Sequence, residues 1–421
     1  MQKKSSTPIP IGNLQLAVGV FVWLDLPWSA HPFFYNKFRI VTEEQLKQVK
    51  ALGIENIYWI PAKSTVEPTA AREQTSEPAP PAAAQNVAQA NSARLNEKNE
   101  RIERQRALKN KAERNWEKAA SATKEAILGL RDNPKQAGPR MREVCKSAVT
   151  SIIGAEPLLL LLGDKQGEGP QYHALNCMTL SMLVARQLNL PAPAIEEVAL
   201  GALSHDAGKT MIPAHIIRSD KRSKHEESMY RDHCSNGAYL VRISGSYSEA
   251  AISAIEDHHE RLDGSGYPSG KSGASIGLSA RIVAVVDYYD ELCSPEAAGK
   301  IPMLPSDALK QMWRLEQSRL DLKIITALVK LLGVYPPGTI VSLNDGSMGL
   351  VVSPGKQSLL PKVLIYDADI PKDEAIVMDL AESPGITIES ALKPEDISED
   401  AFKWFNPREK LSYYFTAESS N

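Results

Sequence analysis

Seven of the chain's eight histidines lie between residues 173 and 259, and the residues around them repeat with helical periodicity. Leu175, Met178 and Met182, for example, follow the three-to-four-residue spacing of one helix face. We therefore predict that residues 120–333 are almost wholly helical and that several of these helices carry imidazole groups. The seven histidines are His173, His205, His215, His225, His233, His258 and His259.

The composition is that of a globular protein without a broad basic surface. Hydrophobic residues make up 43% of the 421 residues and the net charge is −3, which argues against binding of duplex nucleic acid through a basic face. The longest apolar stretch, Pro157–Leu162, is shorter than the roughly 18–20 residues of a membrane span. No clean secretory leader follows Met1, and the four cysteines form no C-x-x-C pair. We predict a cytoplasmic protein with reduced thiols and no membrane or duplex partner.

Shifts in composition divide the chain into four predicted segments. Residues 1–62 are expected to form a small α/β domain, and residues 63–120 a flexible linker followed by a charged helix. Residues 121–335 are expected to form a helical domain, and residues 336–421 a β-rich C-terminal extension. The predicted fold class is therefore multi-domain and mainly α.

In the first segment, hydrophobic patterns predict a strand over Leu14–Leu24, a helix over Thr42–Leu52 and a second strand over Ile54–Ile60. An aromatic loop from Trp28 to Phe38 lies between the first strand and the helix. We interpret its rings as closing a small core, and a ligand or partner surface is the alternative.

The second segment changes composition twice. Residues 61–93 are rich in Pro, Ala, Ser, Thr and Gln and contain few bulky apolar side chains, which predicts an unfolded linker. Residues 94–118 are rich in Glu, Lys and Arg and predict a solvated helix. A coiled coil that forms a homodimer is the alternative, although three to four heptads would be expected for it.

The C-terminal segment has turn residues between β-branched runs. Asn344-Asp345-Gly346 is a hairpin signal. The runs that we predict as strands are Thr339–Leu343, Leu350–Val352 and Lys362–Tyr366.

Two short motifs in the helical segment carry groups suited to metal chemistry. His205-Asp206 is followed by Lys209, and His258-His259 by a glycine-rich loop. Asp287 follows in an apolar helix. Imidazole and carboxylate suit iron, manganese, nickel or zinc. The groups outnumber the ligands of one ion, so they predict two metals, the usual arrangement for hydrolysis of phosphodiesters.

Lys209 is close in sequence to the His-Asp pair and offers a positive charge to a phosphate oxygen. The alternative is a solvated surface lysine.

Together these motifs resemble those of the HD-GYP phosphodiesterases, a branch of the HD metal-dependent phosphohydrolases. Residues 12–62 resemble a small N-terminal domain of unknown function that is often fused to HD-GYP domains in bacteria, through the loop from Pro27-Trp28 to His31-Pro32-Phe33. The HD-GYP resemblance covers roughly residues 165–335 and rests on His205-Asp206-x-Gly-Lys209, His233-x-x-x-Gly237, His258-His259-Glu260, Asp263–Pro268 and Arg281–Asp287.

The resemblance implies roles for the matched residues. The first metal would be held by His173, His205, Asp206 and Asp287, with Asp206 bridging, and the second by His233, His258 and His259. Iron or manganese is expected at both. His205, Asp206 and Lys209 would be catalytic, and Lys209 would contact the scissile phosphate. The signature loop would be shaped by Asp263, Gly264, Gly266, Tyr267 and Pro268. This loop would be either purely structural or a docking surface for diguanylate cyclase domains.

Two departures from the family pattern affect these expectations. Members with three metals have an acidic residue one helical turn before the first histidine, where this chain has Gly169 beside Glu168, so a dinuclear site is favoured. An arginine that helps to hold phosphate in many members is missing from residues 293–302, and Lys300 or Arg314 could replace it. The remaining histidines, His31, His215 and His225, match no ligand position.

The resemblance predicts hydrolysis of cyclic di-GMP to pGpG and on to GMP, in bacterial second-messenger signalling. One alternative is a phosphodiesterase for another cyclic dinucleotide, such as cyclic GMP-AMP. The other is a non-catalytic cyclic-dinucleotide receptor or interaction scaffold, which the altered phosphate segment would favour.

Overall fold

The computed structural model describes residues 5, 7–27, 30–33, 35–54, 57–68, 81–153, 157–161, 169–297, 299–355, 357–370, 372, 375–405 and 413–417. The chain forms two compact units. The first unit joins residues 1–108 to residues 339–407, and the second joins residues 109–338 to residues 408–421. The predicted fold class, multi-domain and mainly α, is confirmed.

The N-terminal part of the first unit is a four-stranded antiparallel sheet with one helix. Its elements are β1 (Ile9–Ile11), β2 (Phe21–Leu24), β3 (Lys37–Arg39), α1 (Glu43–Ala51) and β4 (Ile57–Trp59). The strands pair in the order β1-β4-β2-β3. The Thr42 hydroxyl caps α1 by accepting a hydrogen bond from the Gln45 N–H at 3.1 Å.

The predicted helix and second strand are confirmed, but the first strand is shorter than predicted. It begins at Phe21 because Asn13–Gln15 form a 3-10 turn and Gly19 takes a φ of +96°. A Cβ at Gly19 would also lie 2.6 Å from the Thr65 hydroxyl. Both features interrupt the strand that the alternating apolar residues alone would predict before Phe21.

The C-terminal part of the first unit is a five-stranded antiparallel sheet followed by a short helix. Its elements are β6 (Ile340–Leu343), β7 (Met348–Ser353), β8 (Lys362–Ile365), β9 (Val377–Asp379), β10 (Ile388–Leu392) and α13 (Glu399–Phe405). The strand order is β10-β6-β7-β8-β9. The three predicted strands are confirmed as β6, β7 and β8, whereas β9 and β10 carry no strong strand signal.

The unit boundaries differ from the four predicted segments because residues 339–407 share the first unit with residues 1–108. The Tyr35 hydroxyl donates to the buried Asp345 carboxylate, and the Arg39 N–H donates to the Asp345 carbonyl at 2.6 Å. The Asn36 N–H donates to the Asp367 carboxylate at 3.3 Å. These contacts join residues more than 300 positions apart, and local composition carries no signal for them.

A long helix, α2, runs from Pro81 to Asp132. The predicted linker is therefore wrong from Pro81 onwards, while residues 69–80 lie outside the described residues. Alanine and glutamine are strong helix formers even without apolar bulk, and proline suits the first helical position. The charged helix predicted over residues 94–118 is confirmed as part of α2.

The aromatic loop packs against α2 within the first unit. Phe33 and Phe38 have ring centroids 5.0 Å apart, and the Lys98 ammonium donates to the carbonyls of His31 at 3.0 Å and Phe33 at 2.7 Å. These contacts support the interpretation of the loop as a small core. Trp28 and Phe34 lie outside the described residues.

His31, which is fully buried within this loop, is expected to make the stability of the first unit sensitive to acid. Burial, with Lys98, lowers the pKa of His31 from 6.5 to about 4. The unfolded chain therefore takes up a proton between about pH 6.5 and pH 4 that the folded chain does not, and stability falls by about 3 kcal/mol across that range.

His31→Gln keeps a donor for Asn36, which pairs with His31 Nε2 at 2.9 Å, and removes the titrating group. We expect urea unfolding, followed by fluorescence in steps from pH 7 to pH 4, to show a shallower loss of stability in this variant. His215→Gln, at an exposed histidine, is the control and should keep the slope of the unaltered chain. Equal slopes for all three proteins would contradict the assignment.

The second unit is a helical core that contains the histidine-rich region. Its helices are α3 (Pro134–Ile153), α4 (Pro170–Gln187), α5 (Ala192–Ser204), α6 (Ala214–Arg218), α7 (Lys224–Arg231), α8 (His233–Ser244), α9 (Glu249–Asp257), α10 (Leu278–Cys293), α11 (Pro305–Leu315) and α12 (Leu322–Leu332). Leu180, Leu200 and Val285 are fully buried where α4, α5 and α10 pack together. The helical prediction is therefore confirmed for most of this segment.

The exception is a two-stranded sheet, in which β5 (Pro157–Leu161) pairs with β11 (Tyr413–Ala417). The prediction of an almost wholly helical segment is wrong at β5 because its partner strand lies about 250 residues farther along the chain.

Among the helices that the structure describes, none is both long and apolar enough to cross a membrane.

Candidate metal centre

The rings of three histidines are oriented by backbone carbonyls at the ends of helices. His205 follows α5, His258 follows α9, and His233 begins α8 just after α7. Each Nδ1 lies 2.6–2.8 Å from the carbonyl oxygen three residues earlier, in the last turn of the preceding helix. A carbonyl only accepts hydrogen bonds, so Nδ1 carries the proton and Nε2 keeps a free lone pair. All three rings can therefore act as ligands through Nε2.

His173, one turn into α4, is oriented by a carboxylate instead. Its Nδ1 lies 2.7 Å from Asp290 Oδ2, and Asp290 Oδ1 accepts a hydrogen bond from the Asn176 amide at 3.0 Å. A carboxylate behind a histidine fixes the ring and makes the other nitrogen a better ligand. The sequence reasoning gave Asp290 no role, although its place three residues after Asp287 puts both on one face of α10.

Asp206 lies between two groups of imidazoles. Its Oδ2 is 3.4 Å from His205 Nε2 and 3.7 Å from His173 Nε2. Its Oδ1 is 3.5 Å from His233 Nε2 and 4.0 Å from His258 Nε2. One carboxylate thus presents one oxygen to each group, which is the geometry that a bridging ligand requires.

Asp287 also reaches both groups. Its Oδ1 lies 3.2 Å from His173 Nε2 and 3.5 Å from His205 Nε2, and its Oδ2 lies 3.9 Å from His259 Nδ1. Separations of about 3–4 Å between ligand atoms are those expected around an ion with bonds of about 2.0–2.2 Å. The structure therefore brings together all seven predicted ligands in a divided cluster that fits metal ions.

The charges of this cluster suit cations. Burial, together with His205 and His233, lowers the pKa of His258 to about 3, and burial lowers the pKa of His259 well below its usual range. Both imidazoles are therefore neutral at neutral pH and free to ligate. Burial opposes charge on Asp206, but Lys209 and His205 outweigh it and hold the carboxyl pKa well below its usual value.

The opposite shift occurs beside the two carboxylates. Burial disfavours the protonated form of His205, yet Asp206 and Asp287 outweigh burial and raise its pKa to about 9. A raised pKa at a fully buried imidazole indicates a local excess of negative charge. A divalent cation would neutralise that excess.

Lys209 is held beside the cluster rather than in solvent. Its ammonium lies 2.6 Å from Asp206 Oδ2 and 2.8 Å from Glu296 Oε2, and it faces the Tyr230 ring at 5.6 Å. The alternative of a solvated surface lysine is therefore wrong. The sequence reasoning missed Glu296, which lies in the segment between α10 and α11 that lacks the expected arginine.

The signature loop folds back on a candidate ligand. The Tyr267 ring lies 4.7 Å from the His259 ring at an angle of 30°, and the Tyr267 N–H donates to the His259 carbonyl at 3.3 Å. A Cβ at Gly266 would lie 2.5 Å from the same carbonyl. These contacts give the loop a structural role in fixing His259.

The rest of the loop has the tight turns expected of its composition. Gly264 has a φ of +79°, and the Asp263 carboxylate accepts from the Ser265 N–H at 2.9 Å. Pro268 follows Tyr267 in the loop. Any docking role for this surface remains a prediction.

Several other candidates lie outside the cluster or outside the described residues. His215, His225, Lys300 and Arg314 are exposed, and a phosphate contact by Lys300 or Arg314 remains a prediction. Glu168 lies outside the described residues.

Two cysteines that sequence reasoning treated as ordinary thiols lie beside the candidate ligands. Cys177 Sγ is 3.8 Å from His173 Nε2, and Cys234 Sγ is 3.5 Å from His233 Nε2. Their spacing, four residues and one residue after a histidine, was the only signal for this proximity. All four cysteines are free and buried.

Comparison with known families agrees with this geometry. Residues 161–324 match the HD domain, and residues 9–138 match a domain of unknown function, DUF3391. One part of the chain is thus similar to an HD domain and another part to DUF3391. The resemblance inferred from the motifs is confirmed.

Three curated relatives are named as phosphodiesterases. A cyclic di-GMP phosphodiesterase of Pseudomonas aeruginosa is 29% identical over 374 residues, 85% of this chain and 84% of the relative. A cyclic di-GMP phosphodiesterase response regulator of Xanthomonas campestris is 40% identical over 117 residues, 27% of this chain and 30% of the relative. A 3′3′-cGAMP-specific phosphodiesterase of Vibrio cholerae is 32% identical over 150 residues, 35% of this chain and 34% of the relative.

Proposed function

We propose that this chain is a metal-dependent phosphodiesterase that hydrolyses cyclic di-GMP to pGpG and on to GMP. The observation that carries the proposal is the divided cluster, in which Asp206 faces His205 with one oxygen and His233 with the other. The Pseudomonas relative, named for this activity, matches along 84% of its own length.

The donor set fits two divalent ions, and we propose iron or manganese. His173, His205 and Asp287 would hold the first ion, His233, His258 and His259 the second, and Asp206 both. Imidazole with carboxylate suits these metals. When bound, such a pair would lower the pKa of a water to about 7 and neutralise charge on the phosphate oxygens.

The chain's own residues orient the ligands and the substrate. Asp290 and the three helix-end carbonyls hold the rings with their Nε2 atoms directed inward. Burial opposes charge on Lys209, but Asp206 outweighs it and raises the pKa of the ammonium well above its usual value. Lys209 therefore stays protonated and would donate a charged hydrogen bond to a phosphate oxygen rather than release a proton.

Hydrolysis of each ester proceeds by an exchange of oxygen atoms on phosphorus. The water oxygen forms a bond to phosphorus, the bond from phosphorus to the ribose oxygen breaks, and a proton from the water ends on that ribose hydroxyl. Two such steps convert the cyclic dinucleotide first to pGpG and then to GMP. Preorganised positive charge at the phosphate is the main catalytic contribution expected of such a site.

Two other functions remain as alternatives. The similarity to the Vibrio enzyme favours hydrolysis of 3′3′-cyclic GMP-AMP as the second candidate. A receptor or scaffold without catalysis is the third, because residues 293–302 lack the arginine that many members of the family carry there.

The test combines metal analysis with turnover on the full chain, purified without oxygen and supplied with iron or manganese. Chromatography would follow cyclic di-GMP and cyclic GMP-AMP in parallel. About two metals per chain and faster formation of pGpG and GMP would support the proposal. Faster turnover of cyclic GMP-AMP would favour the second candidate, and metal binding with nucleotide binding but no product would favour the receptor.

Three further predictions accompany the proposed function. We propose a cytoplasmic location. We also propose that the signature loop can contact diguanylate cyclase domains, and that the charged part of α2 offers a homodimer contact. Cross-linking of the full chain, alone and with a diguanylate cyclase domain, would test both contacts.

A further inference from the structure

We propose that Glu296 competes with the substrate phosphate for Lys209 and so sets the affinity of the site for phosphodiesters. This inference rests on the proposed function in one respect, the use of Lys209 by phosphate. Its test below has a readout that does not need turnover.

The ammonium of Lys209 is enclosed by two carboxylates and an aromatic face. Asp206 and Glu296 lie within 2.6 and 2.8 Å of the nitrogen, and the Tyr230 ring lies 5.6 Å from it. The Asp206 side chain retains 12% of its exposure, whereas that of Glu296 retains 35%. Glu296 is therefore the more accessible of the two carboxylate partners of Lys209.

Asp206 and Glu296 differ in what else they do. Both oxygens of Asp206 face imidazoles of the candidate metal centre, so that carboxylate is committed to the cluster. Among the described residues, the Glu296 carboxylate instead forms a side-chain hydrogen bond and an ion pair with Lys209 alone. A phosphate that takes a hydrogen bond from Lys209 would thus displace Glu296 and leave Asp206 in place.

The segment that carries Glu296 is anchored to the helix of Asp287. The Glu296 N–H donates to Glu291 Oε2 at 3.4 Å, and Glu291 lies one turn after Asp287 on α10. Burial, together with Asp287, raises the pKa of Glu291. This anchor holds the backbone of Glu296 in place, and the partly exposed Glu296 side chain reaches Lys209 from it.

Charge determines the sign of the effect. A phosphodiester is an anion, so the Glu296 carboxylate repels it. The same carboxylate also pairs with the Lys209 ammonium, which would otherwise attract the phosphate. Removal of the Glu296 charge should tighten anion binding through both effects. Only the part of the gain in phosphate affinity that requires Lys209 is evidence for the proposed competition.

The experiment measures binding of inorganic phosphate to the metal-loaded full chain by calorimetry. We expect Glu296→Gln, which keeps the shape and removes the charge, to tighten phosphate binding about tenfold. The KM for cyclic di-GMP should fall similarly with little change in kcat. Glu256→Gln is the matched control, because Glu256 pairs with Arg242 at 2.9 Å with 29% of its side chain exposed, and it should bind phosphate as the unaltered chain does.

A double-mutant cycle then tests whether the effect passes through Lys209. In a Lys209→Ala background, Glu296→Gln should give a much smaller gain. If Glu296→Gln tightened phosphate binding equally in the unaltered chain and in the Lys209→Ala background, its effect would be one of general charge and the proposal would be overturned. Unchanged or weaker phosphate binding in the Glu296→Gln variant would also overturn it. If the chain hydrolyses neither cyclic dinucleotide, the proposed function fails, while the phosphate cycle still decides the role of Glu296.

Discussion

Asp206→Ala is expected to remove bound metal from at least one of the two positions and to lower turnover by about 10³-fold or more. The reason is geometric, since each of its oxygens faces a different group of imidazoles. The same change removes the negative charge between the two groups that would hold two cations together. Elemental analysis and turnover of cyclic di-GMP would measure both effects.

The Asp206 experiment needs a variant that separates charge from shape. Asp206→Asn keeps the volume and should also lose metal, because an amide is a weaker ligand than a carboxylate. Asp220→Asn, at an exposed position, should retain both metal and activity. Circular dichroism would establish that all three variants are folded. Full metal content and activity in Asp206→Ala would remove the basis for a shared ligand and for the proposed mechanism.

The helices of the second unit could be predicted because their apolar spacing is strong and their ends are marked. Ser248 caps α9 as a side-chain acceptor for the Ala251 N–H, and Gly245 ends α8 with a φ of +69°. Such signals depend only on neighbours in sequence. The candidate ligands His205-Asp206 and His258-His259 also lie in short motifs, whereas the roles predicted for the other candidate ligands come from the resemblance to the HD-GYP phosphodiesterases.

Contacts between distant residues set the limit of prediction. The pairing of β5 with β11 and the hydrogen bond from Tyr35 to Asp345 join parts of the chain that local patterns treat separately. Asp290 behind His173 belongs to the same class, because 117 positions separate the two residues. Glu296 was missed because its proposed role depends on its contact with Lys209, and the two residues come together only in the folded chain.

Where two backbone segments pack closely, a glycine in the sequence permits a contact between residues that are distant along the chain. A Cβ at Gly208 would lie 2.0 Å from the His233 carbonyl oxygen and 2.5 Å from the Gly237 nitrogen. Gly208 thus lets the turn after Asp206 lie against α8, which begins with His233. The separation between the two imidazole groups depends on this approach, so a glycine outside the ligand set controls the geometry of the cluster.

Gly208→Ala should therefore destabilise the second unit by about 3 kcal/mol and weaken metal binding, because α8 must move away from the His205-Asp206 turn. Gly12→Ala is the control, since Gly12 has a φ of −79° and its added Cβ would meet only the Gln15 side-chain oxygen, at 3.6 Å. The control should change stability by no more than about 0.5 kcal/mol. Thermal unfolding and elemental analysis would measure both variants. If Gly208→Ala kept the stability and metal content of the control, the close packing of α8 on this turn could not be what sets the distance between the two groups.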